Sequence, residues 1–389
     1  QQVLRRWSHW PALCGACDNT LRTEPKKMKL LYIITGLGVG GAERQVLDLA
    51  DSFHTKGYKV KICFLTGDAL LRPKNEEVEI IGLHLKKNIW GLMQGFRLLR
   101  SVIKDFSPDV VHAHMVHANL FSRLIRPVCS IKKLITTAHN TNEGGSVRML
   151  AYRATHFLAD ISTNVTIEAV RAFEEKGACP PNSMLAIPNG IDIGRFKFDT
   201  RWRSQLRAAE GVSENDKLIV AVGRLVDAKD YVNLIKAFRE LSHDMPEAKL
   251  WIVGEGNERA VLTDLVVSSG LSDKVRFLGV RSDVHQIYNA ADLYVLSSAW
   301  EGFGLVVAEA MASEQLVVAT DCGGVKEVLG GHGYLVPAKD SPALALAMQT
   351  ALRLLASERA LITQAARHRI LENYSLNTIV NVWERLYRS

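Results

Sequence analysis

Apolar residues recur along this chain in short, nearly unbroken runs, separated by stretches in which they return every three or four positions. In the first half the runs are Leu30–Thr35, Lys59–Leu65, Val78–Gly82, Val110–Ala113, Leu134–Ala138 and Ala159–Thr163. Stretches of helical spacing lie between them, for example Ala42–Phe53 and His117–Cys129. The second half repeats the theme with Leu218–Val222, Lys249–Val253, Val275–Leu278, Leu293–Leu296, Leu316–Ala319 and Tyr334–Val336. Tyr231–Leu241 and Val284–Ala290 are among the intervening helices. Strand and helix in alternation predict a parallel, doubly wound sheet, here built twice. Ligands of such sheets bind at the carboxyl ends of the strands, so chemistry is expected in a cleft between two Rossmann-like domains.

Length agrees with two domains: the chain has 389 residues, and a domain usually takes about 100–200. The junction reads Ile187-Pro188-Asn189-Gly190-Ile191-Asp192, where Pro and Asn-Gly mark a turn, which puts the hinge at about 188–200. We expect an N-terminal domain over 28–195, a C-terminal domain over 196–370, and a final helix over 371–389. Residues 1–27 lack periodicity and precede Met28, the natural start; they read as a disordered or non-native extension with no signal-peptide core. No apolar run approaches the roughly 18–20 residues that a membrane span needs. Cys14, Cys17, Cys63, Cys129, Cys179 and Cys322 are scattered, which suits a reducing compartment and a cytoplasmic protein, and the lone C-x-x-C lacks the second pair of a zinc site.

Charge changes the picture in one place. The chain carries +7 overall, but residues 28–199 hold 22 Lys+Arg against 16 Asp+Glu, or +6, while 200–389 hold 21 against 23, or −2. The segment Lys86–Lys104 sets Ile89, Trp90, Met93, Phe96, Leu99 and Ile103 near helical spacing with Arg97, Arg100 and Lys104 among them. Such a helix either lies on a membrane surface or packs one face on its own sheet. Nothing in the pattern asks for nucleic acid.

Candidate chemistry gathers at predicted strand ends. Glu301 sits where the strand Leu293–Leu296 turns into a helix, and Glu309 lies about two turns on. A strand-to-helix corner offers free N–H groups and the positive end of the helix dipole, here near Phe303, Gly304 and Leu305, so it suits a phosphate flanked by carboxylates that grip sugar hydroxyls. After the first strand of the second half, Gly223-Arg224 and Lys229 put two cations five apart, able to converge on one diphosphate. His139 ends a strand of the first half, and His112 and His114 end its neighbour. Gly36, Gly38 and Gly41 form a G-x-G-x-x-G loop that also fits a dinucleotide, although the acid expected after the second strand, Asp68, comes late. Gly40 and Gly41 allow close backbone approach. Gly254 and Arg281 come after later strands. No Asp-x-Asp occurs, so no metal is expected on the diphosphate.

Taken together and in order, G-G-A-E, T-x-H, N-G-I-D, G-R-x4-K and E-x7-E resemble the retaining glycosyltransferases of family four (glycosyl transferases group 1), which have the GT-B fold, over residues 28–389. The resemblance implies a nucleotide-diphosphate sugar donor, with UDP the common base. It implies catalytic roles for Glu301, His139, Arg224 and Lys229. It implies donor contacts at Gly40, Gly41, Gly223, Gly254, Arg281, Phe303, Gly304, Leu305 and Glu309, and acceptor contacts at Glu43, Arg44, His112 and His114. It implies a last helix that crosses back to the N-terminal domain. With the basic first half it points to a glycan or polyprenyl-pyrophosphate-linked acceptor in lipopolysaccharide, O-antigen or other surface polysaccharide assembly, with the enzyme peripheral at the inner face of the cytoplasmic membrane. Two alternatives stand: a sugar-nucleotide-binding scaffold without catalysis, and an NAD-dependent oxidoreductase.

Overall fold

A computed structural model describes residues 28–86, 88–141 and 143–389. The expectations for residues 1–27 lie outside them. Seven parallel strands form the N-terminal sheet: β1 (Lys29–Ile34), β2 (Lys59–Phe64), β3 (Glu79–Gly82), β4 (Val110–His114), β5 (Leu134–Thr137), β6 (Ile161–Asn164) and β7 (Met184–Ala186). Their order is β3-β2-β1-β4-β5-β6-β7. The six parallel strands of the C-terminal sheet are β8 (Lys217–Val222), β9 (Ala248–Val253), β10 (Val275–Gly279), β11 (Leu293–Leu296), β12 (Val317–Asp321) and β13 (Tyr334–Pro337), in the order β10-β9-β8-β11-β12-β13. The seventh strand of the first sheet, β7, has no counterpart among the predicted runs. It is three residues long and pairs only with β6 at the edge, too short to leave a period.

Helices cover both faces, which is why the strands read as continuous apolar runs. On one face of the first sheet lie α1 (Gly41–Thr55) and, from the far end of the chain, α14 (Leu376–Arg388). On the other lie α2 (Ile89–Phe106) and α3 (Val116–Ile125), with Leu99, Ile103, Phe121 and Ile125 in one core. The helix expected over 117–129 ends at Ile125; Pro127 cannot donate a helical hydrogen bond, and a single 3-10 turn comes next. Then come α4 (Gly145–Thr155) and α5 (Ile167–Glu175). The second domain carries α6 (Thr200–Ala209), α7 (Tyr231–Asp244), α8 (Arg259–Ser268), α9 (Val284–Ala290), α10 (Leu305–Ala312), α11 (Val325–Leu329), α12 (Ser341–Leu352) and α13 (Ala356–Asn373). Among the described residues no helix is long and apolar enough to cross a membrane.

The chain passes between the domains twice, and the two passages are bonded to each other. The Ile191 N–H donates to the Tyr374 carbonyl at 2.8 Å, and the Leu376 N–H returns to Ile191 at 2.8 Å. A Cβ on Gly190 would stand 2.9 Å from the Leu376 Cα, so the crossing excludes a side chain there. The Gln45 side chain of α1 accepts the Gly190 N–H at 2.7 Å.

Past this crossing, α14 buries Ile379, Val380, Trp383 and Tyr387 in the N-terminal core. The Tyr387 hydroxyl meets Tyr32 Oη at 3.1 Å and His112 Nδ1 at 2.8 Å. Removing a buried indole leaves a large cavity, and such losses cost about 3–5 kcal/mol. Trp383→Ala is therefore expected to lower urea stability by about that much; a loss below about 1 kcal/mol would show that the helix is not part of the N-terminal core.

Candidate active site

The corner after β11 is built by local bonds that need no ligand. The Ser298 carbonyl accepts from Thr320 Oγ1 at 2.7 Å, and the Ala299 N–H reaches the Ala228 carbonyl at 2.9 Å. Ser297 Oγ donates to the Lys229 carbonyl at 2.8 Å. The loop after β8 and the loop after β11 are thus one unit. Inside it Lys229 Nζ is ion-paired with Glu301 Oε1, to which Ser298 Oγ also donates at 2.8 Å. The Lys229 and Glu301 side chains are only 17% and 13% exposed, so screening is weak and the pair is held in a shared wall of the cleft.

Gly304 comes next with φ +80 and leads into α10 with no side-chain cap. The first N–H groups of α10 are left for a ligand or water. Phe303 is buried against Tyr374, so it can offer only its backbone. On the next turn Glu309 accepts from Tyr288 Oη at 3.2 Å. Burial raises its carboxyl to about 7, an effect that the Tyr288 bond and the charge of Arg195 partly offset.

The opposite wall comes from β1, β4 and β5. The His139 carbonyl lies so close to Gly302 that a Cβ there would approach it to 2.0 Å. Leu305 of α10 stands 3.5 Å from where a Cβ on Gly41 would be. His139 and Glu301 therefore flank one contact between the domains. The His139 ring is bonded to His114 Nδ1 through Nε2 at 3.0 Å, and burial lowers it to about 4. It is a neutral hydrogen-bonding group at ordinary pH. Burial also raises the Glu43 carboxyl, while Arg224 across the cleft draws it down. That carboxyl folds over Gly40, where a Cβ would lie 2.5 Å from Glu43 Oε2. Arg44 follows it in the first turn of α1, and its charge reaches Glu309. Arg224 is exposed and has no ion pair among the described residues.

Five expected site residues make bonds or packing contacts within the protein. His112 is 2% exposed and both ring nitrogens are used internally, Nδ1 by Tyr387 and Nε2 by Thr137 Oγ1 at 2.7 Å. It anchors α14 and does not line an acceptor site. Arg281 spends its guanidinium on Asp283 at 2.8 and 2.7 Å and on Glu210 at 3.1 Å, which leaves its fork committed within the protein. Gly254, at φ +135, would clash with the Gly223 carbonyl if it bore a Cβ, the distance being 2.0 Å; both glycines serve the packing of two loops. His114, 1% exposed, touches the cleft only through His139.

The sequence does not single out Ser298 or Thr166, whereas Glu327 ends a D-x-G-G-x-x-E run from Asp321 that resembles the family's turn. Ser298 holds Glu301. Thr166 caps α5 and also donates to the Gly302 carbonyl at 3.3 Å; the cap has a sequence signal, the second bond has none. Glu327 accepts the Ile167 N–H at 3.0 Å across the domains. Among the described residues no group of three or more His, Cys, Asp or Glu is placed to hold a metal ion, and Lys229 and Arg224 are cations that face the cleft.

Two outcomes are expected. Gly302→Ala should reduce turnover at least about tenfold, because its methyl would meet the His139 carbonyl, with thermal stability nearly unchanged; activity within twofold of the parent would contradict the contact. Because Glu309 is raised from 4.5 to about 7, the native state binds more protons than the unfolded chain between those values. Its stabilising contribution is full below about 4.5 and is lost as pH rises through about 7. Glu309→Gln should thus gain stability relative to the parent over that window in urea titrations, and parallel pH curves would refute this.

Comparison with known proteins agrees with the geometry. Residues 39–195 match the model of Glycosyltransferase Family 4, and residues 203–369 match that of Glycosyl transferases group 1. EpsD of Bacillus subtilis, named a putative glycosyltransferase, is 30% identical over 262 residues, covering 64% of this chain and 69% of EpsD. LpsD of Rhizobium meliloti, a lipopolysaccharide core biosynthesis glycosyltransferase, is 24% identical over 328 residues, covering 83% and 87%. HepE of Anabaena, solved in complex with UDP and glucose, superposes with a TM-score of 0.81 at 23% identity, covering 93% of this chain and all of HepE. The two facing parallel-sheet domains are thus the GT-B fold, and this chain belongs to the family-four, group 1 glycosyltransferases.

Proposed function

We propose that the protein is a retaining, metal-independent transferase that moves a hexosyl or N-acetylhexosaminyl group from a UDP-sugar to a glycan or polyprenyl-pyrophosphate-linked acceptor in surface polysaccharide assembly. The observation that carries this reading is the Lys229–Glu301 pair beside the uncapped start of α10, set against His139 by the Gly302 contact. Lys229, Arg224 and the first N–H groups of α10 stabilise the departing diphosphate, where preorganised charge counts most. Glu301 bonds donor-sugar hydroxyls and favours the oxocarbenium-like transition state, Glu309 holds the ribose, and neutral His139 orients the sugar. Glu43 and Arg44, at the start of α1, face the acceptor. The bond from the anomeric carbon to the diphosphate breaks on the face where the acceptor oxygen bonds, and the acceptor hydroxyl's proton goes to the leaving diphosphate oxygen.

The UDP bound by HepE and the lipopolysaccharide role of LpsD support the donor and the pathway. For the acceptor, support comes from the outer surface of α2, α3 and α4. It exposes Trp90, Met93, Val147 and Leu150 together with Arg97, Arg100, Lys104, Arg148 and Arg153, and those helices carry one acid, Asp105. Apolar anchors among cations suit an anionic lipid surface at the inner face of the cytoplasmic membrane.

A donor-hydrolysis screen across nucleotide sugars tests the reading. UDP-sugars should be hydrolysed equally with and without EDTA, and Glu301→Ala should lower turnover about 100-fold or more. Activity abolished by EDTA, or a Glu301→Ala enzyme as active as the parent, would overturn it.

A further inference from the structure

Beyond the last residue of β5 the backbone must turn toward the cleft, and the ladder cannot continue with it. The Ala138 N–H still pairs with Thr163 at 2.9 Å; the His139 N–H turns to a side chain instead. Its partner is Glu143 Oε1 at 2.9 Å, four positions on in the sequence. Glu143 is 9% exposed, and an unpaired carboxylate there would be costly.

A buried set of polar groups satisfies it. Glu143 Oε2 accepts the Tyr152 hydroxyl proton at 2.5 Å. Asn119 Nδ2 donates to Tyr152 Oη and to the Thr137 carbonyl, both at 2.9 Å. Arg123, fully buried, lies over the Tyr152 ring and donates to Thr136 Oγ1 at 2.7 Å and Ser162 Oγ at 2.9 Å. The network fastens α3 and α4 to β5 and β6, and it reaches toward the cleft through its bond to the His139 backbone. That backbone is the surface on which Gly302 rests.

We infer that Glu143 is a positioning residue for transfer: its carboxylate fixes the His139 turn so that the His139 ring and the Glu301–Gly302 corner close on one donor sugar. The inference rests on the catalytic reading of Glu301 and His139. A displacement of about 1 Å at such a turn can cost about 100-fold in rate, while the nucleotide half of the cleft, in the other domain, would be untouched.

The test compares Glu143→Ala, Glu143→Gln and Tyr152→Phe in steady-state donor turnover, with UDP binding measured by calorimetry. Glu143→Ala should lose about 10- to 100-fold in kcat with donor KM and UDP affinity within about threefold of the parent. Glu143→Gln keeps an acceptor for the His139 N–H and should recover most of the loss. Tyr152→Phe, which keeps the ring and loosens the carboxylate, should lose about threefold or more and serves as the deciding variant if Glu143→Ala does not fold. Unchanged kcat in Glu143→Ala, or in Tyr152→Phe where the alanine variant is not folded, would overturn the inference. So would a kcat loss in which UDP affinity falls in step and glutamine restores nothing. A parent that hydrolyses or transfers no nucleotide sugar would instead overturn the catalytic reading, and the inference with it.

Discussion

The rest of the site depends on one close approach: the Gly302 backbone packed on the His139 carbonyl, at a distance no side chain permits. Each domain brings its chemistry to that contact from a strand end. On one side stand Glu301, Lys229 and the uncapped start of α10. On the other stands the turn after β5, with Thr166 bonded to the Gly302 carbonyl and Glu327 reaching back to α5. Because interiors are close-packed and shift in discrete steps, a glycine contact of this kind defines a closed arrangement more sharply than a salt bridge on flexible stems.

Electrostatics then divide the labour. Lys229 is paired with Glu301, and Arg224 is exposed opposite Glu43. A diphosphate entering the corner would give both cations a stronger partner and release Glu301 toward sugar hydroxyls. The three histidines of the N-terminal wall are all held neutral by burial, so they supply hydrogen bonds, and the charge of that wall comes from Glu43 and Arg44. The double crossing at Ile191 and Tyr374–Leu376, with α14 locked into the N-terminal core, makes the last helix a strap across the hinge.

Much of this was legible in the sequence, for identifiable reasons. Strands buried on both faces leave apolar runs, and a parallel sheet brings the residues after each run to the cleft edge, so Glu301, Lys229 and His139 could be placed from the pattern alone. Contacts between distant segments were not legible. His112 shares its strand end with His114, and only α14, arriving from residue 387, shows that its ring is consumed by Tyr387 and Thr137. The bonds of Arg281 to Glu210 and Asp283 leave no mark in the sequence around it. Glu143 carries no local signal, since its meaning lies in Tyr152, Asn119 and the His139 N–H that leaves the ladder. Chain periodicity encodes which face is buried; it does not encode which polar group a buried carboxylate will meet.

The central claim is that this corner transfers a sugar with retention, and the stereochemistry of donor cleavage tests it most directly. A proton spectrum recorded in the first minutes of UDP-α-sugar hydrolysis, before mutarotation, should show the α anomer of the free sugar released first. Initial release of the β anomer would contradict the account.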